Sequence, residues 1–163
     1  MGDVMKIRMG IGYDVHRFAH ERRLVLGGVD IPHEQGLDGH SDADVLCHAI
    51  ADALLGAVGL PDIGHYFPPS DPEIRGISSL RILARVAELL AEAGAAINNV
   101  DSTIIAEAPR IAPHLAAMKH AIATALGIAI TDVGIKATTN EELGSLGRGE
   151  GMAAIATACV AVQ

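Results

Sequence analysis

Residues 41–59 constrain the fold more than any other stretch, because two stripes of opposite character run along one helix-length segment. Val45, Leu46, Ala49, Ile50, Ala53 and Leu54 recur at helical spacing, while Asp44, His48 and Asp52 stand at i, i+4 and i+8 as a polar seam beside them. The pattern predicts a helix that starts at Ser41, with Asp44 three positions on in the manner of a capping box, and stops at Gly59. Its apolar face must be buried against another layer, and His48 then looks wherever the seam looks. Cys47 lies about 100° round the helix from His48 and reads as a small buried hydrophobe.

The layer it needs is legible on either side. Residues 6–13 alternate as a strand, and residues 24–31 read as two short strands that meet at Gly27-Gly28 and are ended by Pro32. Gln35 to His40 is polar and glycine-containing, which predicts a loop able to move. A second helix is expected over 77–93, closed by Gly94, with Leu80, Leu83, Ala84, Ala87 and Leu90 on its buried stripe. Residues 99–105 and 133–138 read as strands, and Pro109 and Pro113 lead into a third helix ending near Gly127. Alanines in residues 152–162 permit helix, but Ile155, Thr157, Cys159 and Val160 favour a strand, the reading adopted. Strands followed by helices predict an α+β fold, two layers with helices packed on one face of a mixed sheet. The length fits one domain, residues 1–163.

Composition bears on how that core is filled. With 18 glycines, two phenylalanines, two tyrosines and no tryptophan, it must be built from Ala, Val, Leu and Ile at close backbone spacing. Small side chains bury little area each, so association of subunits is an expected way to complete the burial. A net charge of -8 with 12 Lys and Arg spread along the chain argues against a nucleic-acid surface. A small phosphorylated ligand would need local cations or backbone N–H groups to overcome that field, and metals fit the need. Cys47 and Cys159 form no disulfide framework, and no apolar run of signal or membrane-spanning length is evident. A soluble cytoplasmic protein is expected.

Asp14 and His16 are two apart, so an extended segment points both to one side. With His48 they would supply three ligands and leave a fourth position open, the arrangement of a catalytic zinc. Two of the three are neutral, so the ion would keep positive charge and could polarise a phosphoryl oxygen. Spacing alone leaves open a chance Asp-x-His and a solvated histidine on a helix face. Asp44 and Asp52 could orient a ligating histidine or be ordinary helix acids. The turns at Pro61 to His65 and Ala106 to Arg110 expose backbone groups that could hold a base or a diphosphate, or do only turn chemistry. In Lys136 to Gly144, Thr138 or Thr139 could cap the next turn; the sharper reading has Thr139 donating to a phosphate and Glu141 holding a second, harder cation. Gly147 to Gly151 is not a Walker loop and Gly10-Ile11-Gly12 is not a dinucleotide fingerprint. Arg148 could neutralise a ligand oxygen or pair with an acid of a neighbouring subunit.

The segments Gly12 to Phe18, Leu26 to Val29, His40 to Gly56, Asp62 to Gly64, Asp101 to Ile105 with Ala108-Pro109, and Lys136 to Thr139 with Gly147 to Gly151 run in order through almost the whole chain. In these the chain resembles the 2-C-methyl-D-erythritol 2,4-cyclodiphosphate synthase family of the non-mevalonate isoprenoid pathway. The resemblance implies a homotrimer with sheets facing the threefold axis and active sites between subunits. It implies Zn2+, or another divalent transition metal, on Asp14, His16 and His48, and Mg2+ or Mn2+ held with the substrate diphosphate at Glu141. It implies that the reaction releases CMP from a cytidine diphosphate substrate, with His40 and Thr139 adding hydrogen bonds where charge rearranges. Substrate contacts carry over to Asp14, His16, His40 and Ser41, and to Asp62, Ile63 and Gly64 at the ribose. Cytosine recognition carries over to Ala106, Glu107, Ala108, Pro109, Arg110, Ile111 and Ala112. Thr138, Thr139, Asn140 and Glu141 match the diphosphate contacts, and Arg148 and Glu150 match polar residues near the axis. Phe67, Pro68, Ser70 and Asp71 belong to the erythritol side. There the family commonly reads Phe-Pro-Asp-Thr-Asp; Pro69 replaces a carboxylate and removes an N–H, which predicts altered substrate positioning with activity retained. Ser145 stands where relatives carry a bulkier residue.

Overall fold

The computed structural model describes residues 5–162. Strands β1 (Lys6–Ala19), β2 (Leu24–Leu26), β3 (Val29–Ile31) and β4 (Gly36–Leu37) precede helices α1 (Val45–Ala57), α2 (Ile63–Tyr66) and α3 (Ser79–Glu92). Then come β5 (Ala95–Ile105), α4 (Leu115–Leu126), β6 (Val133–Thr138), α5 (Gly144–Gly147) and β7 (Gly151–Val162). Five strands form one sheet in the order β4-β1-β7-β5-β6, with β2 and β3 paired as a separate ribbon. Only β5 and β6 run parallel, so the sheet is mixed, and the α+β class read from the sequence holds. No helix among the described residues is long and apolar enough to cross a membrane.

The two faces of the sheet differ because of the period-two alternation in β1. Gly10, Gly12, Asp14 and His16 look toward α1, whereas Ile7, Met9, Ile11, Tyr13 and Val15 look away and are exposed, Met9 by 65% and Ile11 by 71%. On β7 the inward residues are Met152, Ala154, Ala156, Ala158 and Val160, all buried. Leu46, Ile50 and Leu54 of α1 are fully buried, each contributing about 1.5–3 kcal/mol by removal from water.

That contact is unusually close. A Cβ on Gly10 would lie 1.9 Å from the Ala53 carbonyl oxygen, and one on Gly12 would lie 1.9 Å from that of Ala49. Backbone therefore rests on backbone, which explains both the glycines and the alanines and the absence of any need for large aromatics.

Several expectations are corrected. The first strand is longer than residues 6–13, because β7 pairs with it from Lys6 to Arg17 and carries Asp14 and His16 inside the ladder. The 35–40 segment contains β4, paired with Phe18 and Ala19. In the segment that follows, Arg22 donates to the carbonyls of Gly39 and Ser41 (both 2.8 Å), and Gly76 N–H donates to that of His40 (2.8 Å). Helix α1 starts at Val45 and not at Ser41, since Ala43 sits at φ 57°, outside helical space, and Asp44 is the N-cap. The buried stripe of α3 is Ser79, Ile82, Leu83, Val86, Leu89 and Leu90, so Leu80, Ala84 and Ala87 are only half-buried. Its start is rotated inward because Asp42 accepts from both the N–H and the hydroxyl of Ser79. The third helix agrees with expectation: Pro109 lies in the loop before it, Pro113 in the 3₁₀ turn Ala112–His114 that leads into its start at Leu115, and Gly127 closes it at φ 68°.

Gly12→Ala tests the close contact. Thermal unfolding is expected to show destabilisation of about 1–3 kcal/mol, with weakened metal binding, because the clash pushes α1 away from β1. An unchanged melting temperature would contradict the packing.

Candidate metal centre and substrate cleft

Because α1 lies directly on β1, a histidine at the start of the helix reaches the strand's inward row. Asp14 Oδ2 stands 3.0 Å from His16 Nε2 and 2.9 Å from His48 Nδ1, and the two imidazole rings are 5.6 Å apart and tilted by 59°. Asp14 Oδ1 accepts the Val15 N–H (2.9 Å), which leaves Oδ2 for the histidines. His16 Nδ1 faces the Asp38 carbonyl at 2.5 Å. A carbonyl only accepts, so Nδ1 carries a proton and Nε2 of the neutral ring is a lone pair. That Nε2 is buried and has no properly directed hydrogen-bond partner, its approach to Asp14 being off-line.

A carboxylate oxygen and two imidazole nitrogens, all within 4.8 Å of one another, are a donor set that wants a cation. Asp14, His16 and His48 are thus the metal site, and its nitrogen-rich character suits Zn2+ or a similar divalent transition metal. Electrostatics agree. Burial opposes ionisation of Asp14, yet His16 and His48 outweigh it and hold the carboxyl well below the usual range. The Asp14 carboxylate in turn raises His16 above its ordinary value, against the effect of burial.

The neighbouring helix acids do other work. Asp44 is fully buried and accepts the N–H groups of Gly27 (3.0 Å), Gly28 (2.7 Å) and Cys47 (3.1 Å), fastening the β2–β3 turn to the start of α1. Burial and then the nearby Asp42 push its carboxyl up, opposed by those three donors. Asp52 accepts the Ile63 N–H (2.9 Å) and fixes the start of α2. Neither touches the ring of His48, so neither orients it. Cys47 is buried as expected, and burial pushes its thiol up.

The metal side chains open on a cleft also lined by His40, Ser41, Ile63, Gly64, Phe67 and Pro69, with Ile74, Ile77 and Ile82 as an apolar wall. An adjoining cleft shares His40, Pro69 and Ile74 and adds Ser70, Asp71 and Arg75. His40 is exposed at their junction; Ser41 is buried, with its hydroxyl 3.2 Å from His48 Nε2. Asp62 caps α2 through His65 N–H (3.2 Å), and Asp71 caps a 3₁₀ turn through Glu73 N–H (2.9 Å), so each carboxylate has a local duty. The Pro68 carbonyl accepts the Asp71 N–H (2.9 Å).

The remaining predicted residues lie together elsewhere, at the ends of the parallel strands β5 and β6. Ala106 N–H donates to the Thr138 carbonyl (3.0 Å), and Glu107 accepts the Asn140 N–H (2.8 Å), which joins the 106–112 loop to the 138–141 turn. Thr139 does cap its turn: its hydroxyl accepts from Glu141 N–H (3.3 Å) and donates to the Glu141 carboxylate (3.2 Å). Ala108 to Ala112 complete the loop, and none of these residues lines either cleft of its own chain. Glu141 joins no cluster of metal-type side chains among the described residues. Arg148 Nε donates to Glu150 of the same chain (2.7 Å). Sequence reasoning missed Arg22, Asp42 and Ser79, which buttress the site from far along the chain and carry no local motif.

Comparison with known proteins gives one consistent pattern. The model of the YgbB family matches residues 7–161. A 2-C-methyl-D-erythritol 2,4-cyclodiphosphate synthase of Akkermansia muciniphila is 64% identical over 152 residues, covering 93% of this chain and 90% of that protein. Among solved structures, the bifunctional IspDF from Campylobacter jejuni superposes with a TM-score of 0.94 at 38% identity, over 98% of this chain and 43% of that one. This chain therefore spans less than half of that bifunctional protein. The CDP complex of IspF from Plasmodium falciparum gives a TM-score of 0.83 at 32% identity, over 96% and 97% of the two chains.

Metal uptake must displace the proton that the raised His16 retains. Zinc affinity, measured by competition with a chelator at stepped pH, is expected to strengthen as pH rises through the His16 value and to fall below it by up to about tenfold per pH unit. In the metal-free protein the sign reverses: the stabilisation from the raised His16 is full below about pH 6.5 and is lost as pH rises through the folded value. A zinc affinity that stays flat through this window would contradict the assignment.

Proposed function

We propose, taking as premise that the chain belongs to the YgbB family, that it converts 4-diphosphocytidyl-2-C-methyl-D-erythritol 2-phosphate to 2-C-methyl-D-erythritol 2,4-cyclodiphosphate and CMP. The observation that carries this reading is the convergence of Asp14, His16 and His48 on one point at the mouth of a cleft. It is a phosphorus–oxygen lyase activity. An oxygen of the 2-phosphate attacks the β-phosphorus, the bond from that phosphorus to the bridging oxygen breaks, and CMP leaves with the bridging oxygen in an eight-membered ring closure.

The nucleophile is already an anion, so the obstacle is repulsion and misalignment and not proton removal. A divalent ion held by Asp14, His16 and His48 supplies, when bound, positive charge beside the phosphoryl oxygens. His40, exposed at the junction of the two clefts, is assigned a hydrogen bond to the reacting phosphate, with Ser41 behind it. Ile63, Gly64 and Phe67 wall the cleft, and Asp62 at the start of α2 is assigned the ribose hydroxyls. Pro68, Ser70 and Asp71 are assigned the erythritol side, where Pro69 offers an apolar surface in place of an acceptor. Thr138, Thr139 and Asn140 are assigned the diphosphate, Glu141 its Mg2+ or Mn2+, and the backbone of Ala106 to Ala112 the cytosine.

Those last two groups do not share a cleft with the metal site of their own chain, which supports an active site built between subunits. The exposed row Ile7, Met9, Ile11, Tyr13 and Val15, continued by Ile155, is a contiguous apolar sheet face with no cover among the described residues. Three copies turning this face to a common axis would bury it and bring one subunit's 106–112 and 138–141 loops beside a neighbour's metal. On this reading residues 1–163 act as one domain, Arg148 and Glu150 lie near the axis, and the trimer works in the cytoplasm.

Incubation of purified protein with the nucleotide substrate, zinc and magnesium should yield CMP and the cyclic diphosphate in equal amounts. CMP with a linear bisphosphate would instead identify a hydrolase. His48→Ala is expected to lose stoichiometric zinc and at least about 100-fold in turnover while keeping its far-ultraviolet circular dichroism; wild-type metal content and rate would reject the site. For the assembly, Ile11→Asp should convert a threefold mass in light scattering to that of a single chain and abolish turnover, whereas an unchanged mass would reject the sheet face as the interface.

A further inference from the structure

Beyond the three ligands, His48 is held by a pair of residues with no assigned part in the site. Its Nε2 lies 2.9 Å from the hydroxyl of Ser79, the first residue of α3, which is fully buried. That hydroxyl is in turn 2.5 Å from Asp42 Oδ1, and the Ser79 N–H donates to Asp42 Oδ2 (2.8 Å). Asp42 Oδ1 also accepts the Asp44 N–H (3.2 Å).

Protons can be placed along this chain starting from its Asp42 end. A carboxylate can only accept, so the single hydroxyl proton of Ser79 goes to Asp42. The Ser79 oxygen can then only accept from His48, which requires the His48 proton to sit on Nε2. Nδ1 is then a lone pair facing Asp14 Oδ2 at 2.9 Å, two acceptors with no proton between them, a pair that a bound cation relieves. The alternative is close at hand. The Ser41 hydroxyl lies 3.2 Å from the same Nε2 and accepts the Ala43 N–H, so its own proton is uncommitted. Were Ser41 to donate to Nε2, the His48 proton would move to Nδ1 and bond to Asp14, closing a histidine–carboxylate pair that withdraws two ligands at once.

We propose that Ser79 and Asp42 are positioning residues that lock His48 in the Nε2–H tautomer and so keep Nδ1 free to bind metal. Capping of α3 does not account for the arrangement: Asp42 caps through the Ser79 N–H, which any residue at position 79 other than proline would offer, whereas the lock uses the hydroxyl. The inference rests on the metal role given to His48 above, and its test separates the two.

In metal-free protein with 15N-labelled histidine, long-range proton–nitrogen spectra recorded at stepped pH report which ring nitrogen of each histidine bears the proton. His48 is assigned by its loss in His48→Gln. Wild type should show Nε2–H at His48, Ser79→Ala should shift it toward Nδ1–H, and Ser79→Thr, which keeps the hydroxyl, should match wild type. Zinc affinity by chelator competition should fall about 10- to 100-fold in Ser79→Ala and recover in Ser79→Thr. Circular dichroism and melting of the metal-free variants check the fold, and Asp42→Ala, which removes the acceptor from the other end, should reproduce the tautomer shift if Ser79→Ala does not fold. A Ser79→Ala protein with the wild-type tautomer overturns the lock, whether or not its zinc affinity falls. Wild type that shows Nε2–H, shifts on Ser79→Ala, yet takes up no zinc supports the lock and overturns the metal assignment instead.

Discussion

The backbone of α1 resting on the backbone of β1 is the contact on which the rest depends. Gly10 and Gly12 remove the only atoms that would hold the helix off, and Ala49 and Ala53 present carbonyls where larger side chains would stand. A wider helix–sheet separation filled by large side chains would carry His48 away from Asp14 and His16. The scarcity of aromatic residues and the close metal cluster are two results of one packing choice.

Around this contact, carboxylates are used as backbone staples. Asp44 gathers three N–H groups, Asp42 joins the 40–44 segment to the first turn of α3, and Asp52 fixes α2. Each binds donors at the start of an element, where unpaired N–H groups are concentrated. Their joint effect is to hold the segment carrying His40 and Ser41 between α1 and α3, with Arg22 gripping its carbonyls from the other side. A protein of net charge -8 can thereby face a polyanionic substrate, because its acids near the cleft are spent on N–H groups and the metal supplies the local positive charge.

Much of the architecture was legible because it rests on periodicity. The alternation of β1 and β7, the stripe of α1 and the stops at Gly59 and Gly127 are local patterns, and local sterics are enough to produce them. Where reading failed, a distant partner had intervened. Ser41 looks like an N-cap until Ala43 takes a left-handed conformation and Asp44 replaces it. Leu80 looks like the head of the α3 stripe until Asp42, 37 residues before Ser79, turns Ser79 inward. The short strand β4 is visible only once the end of β1 is there to pair with it.

For the site itself, the sequence alone determined the kinds of ligand: a carboxylate and an imidazole two apart on a strand, and a second imidazole on a helical seam. Those follow from side-chain chemistry and from the fixed repeats of strand and helix. Only the tertiary structure decided which atoms face the metal, because that depends on hydrogen bonds made by the far side of each ring. The Asp38 carbonyl leaves Nε2 of His16 bare, and the hydroxyl of Ser79 leaves Nδ1 of His48 bare. It alone also separated the 106–112 and 138–141 loops from the metal site of their own chain, since the ends of β5 and β6 lie away from the clefts that α1 and α3 enclose.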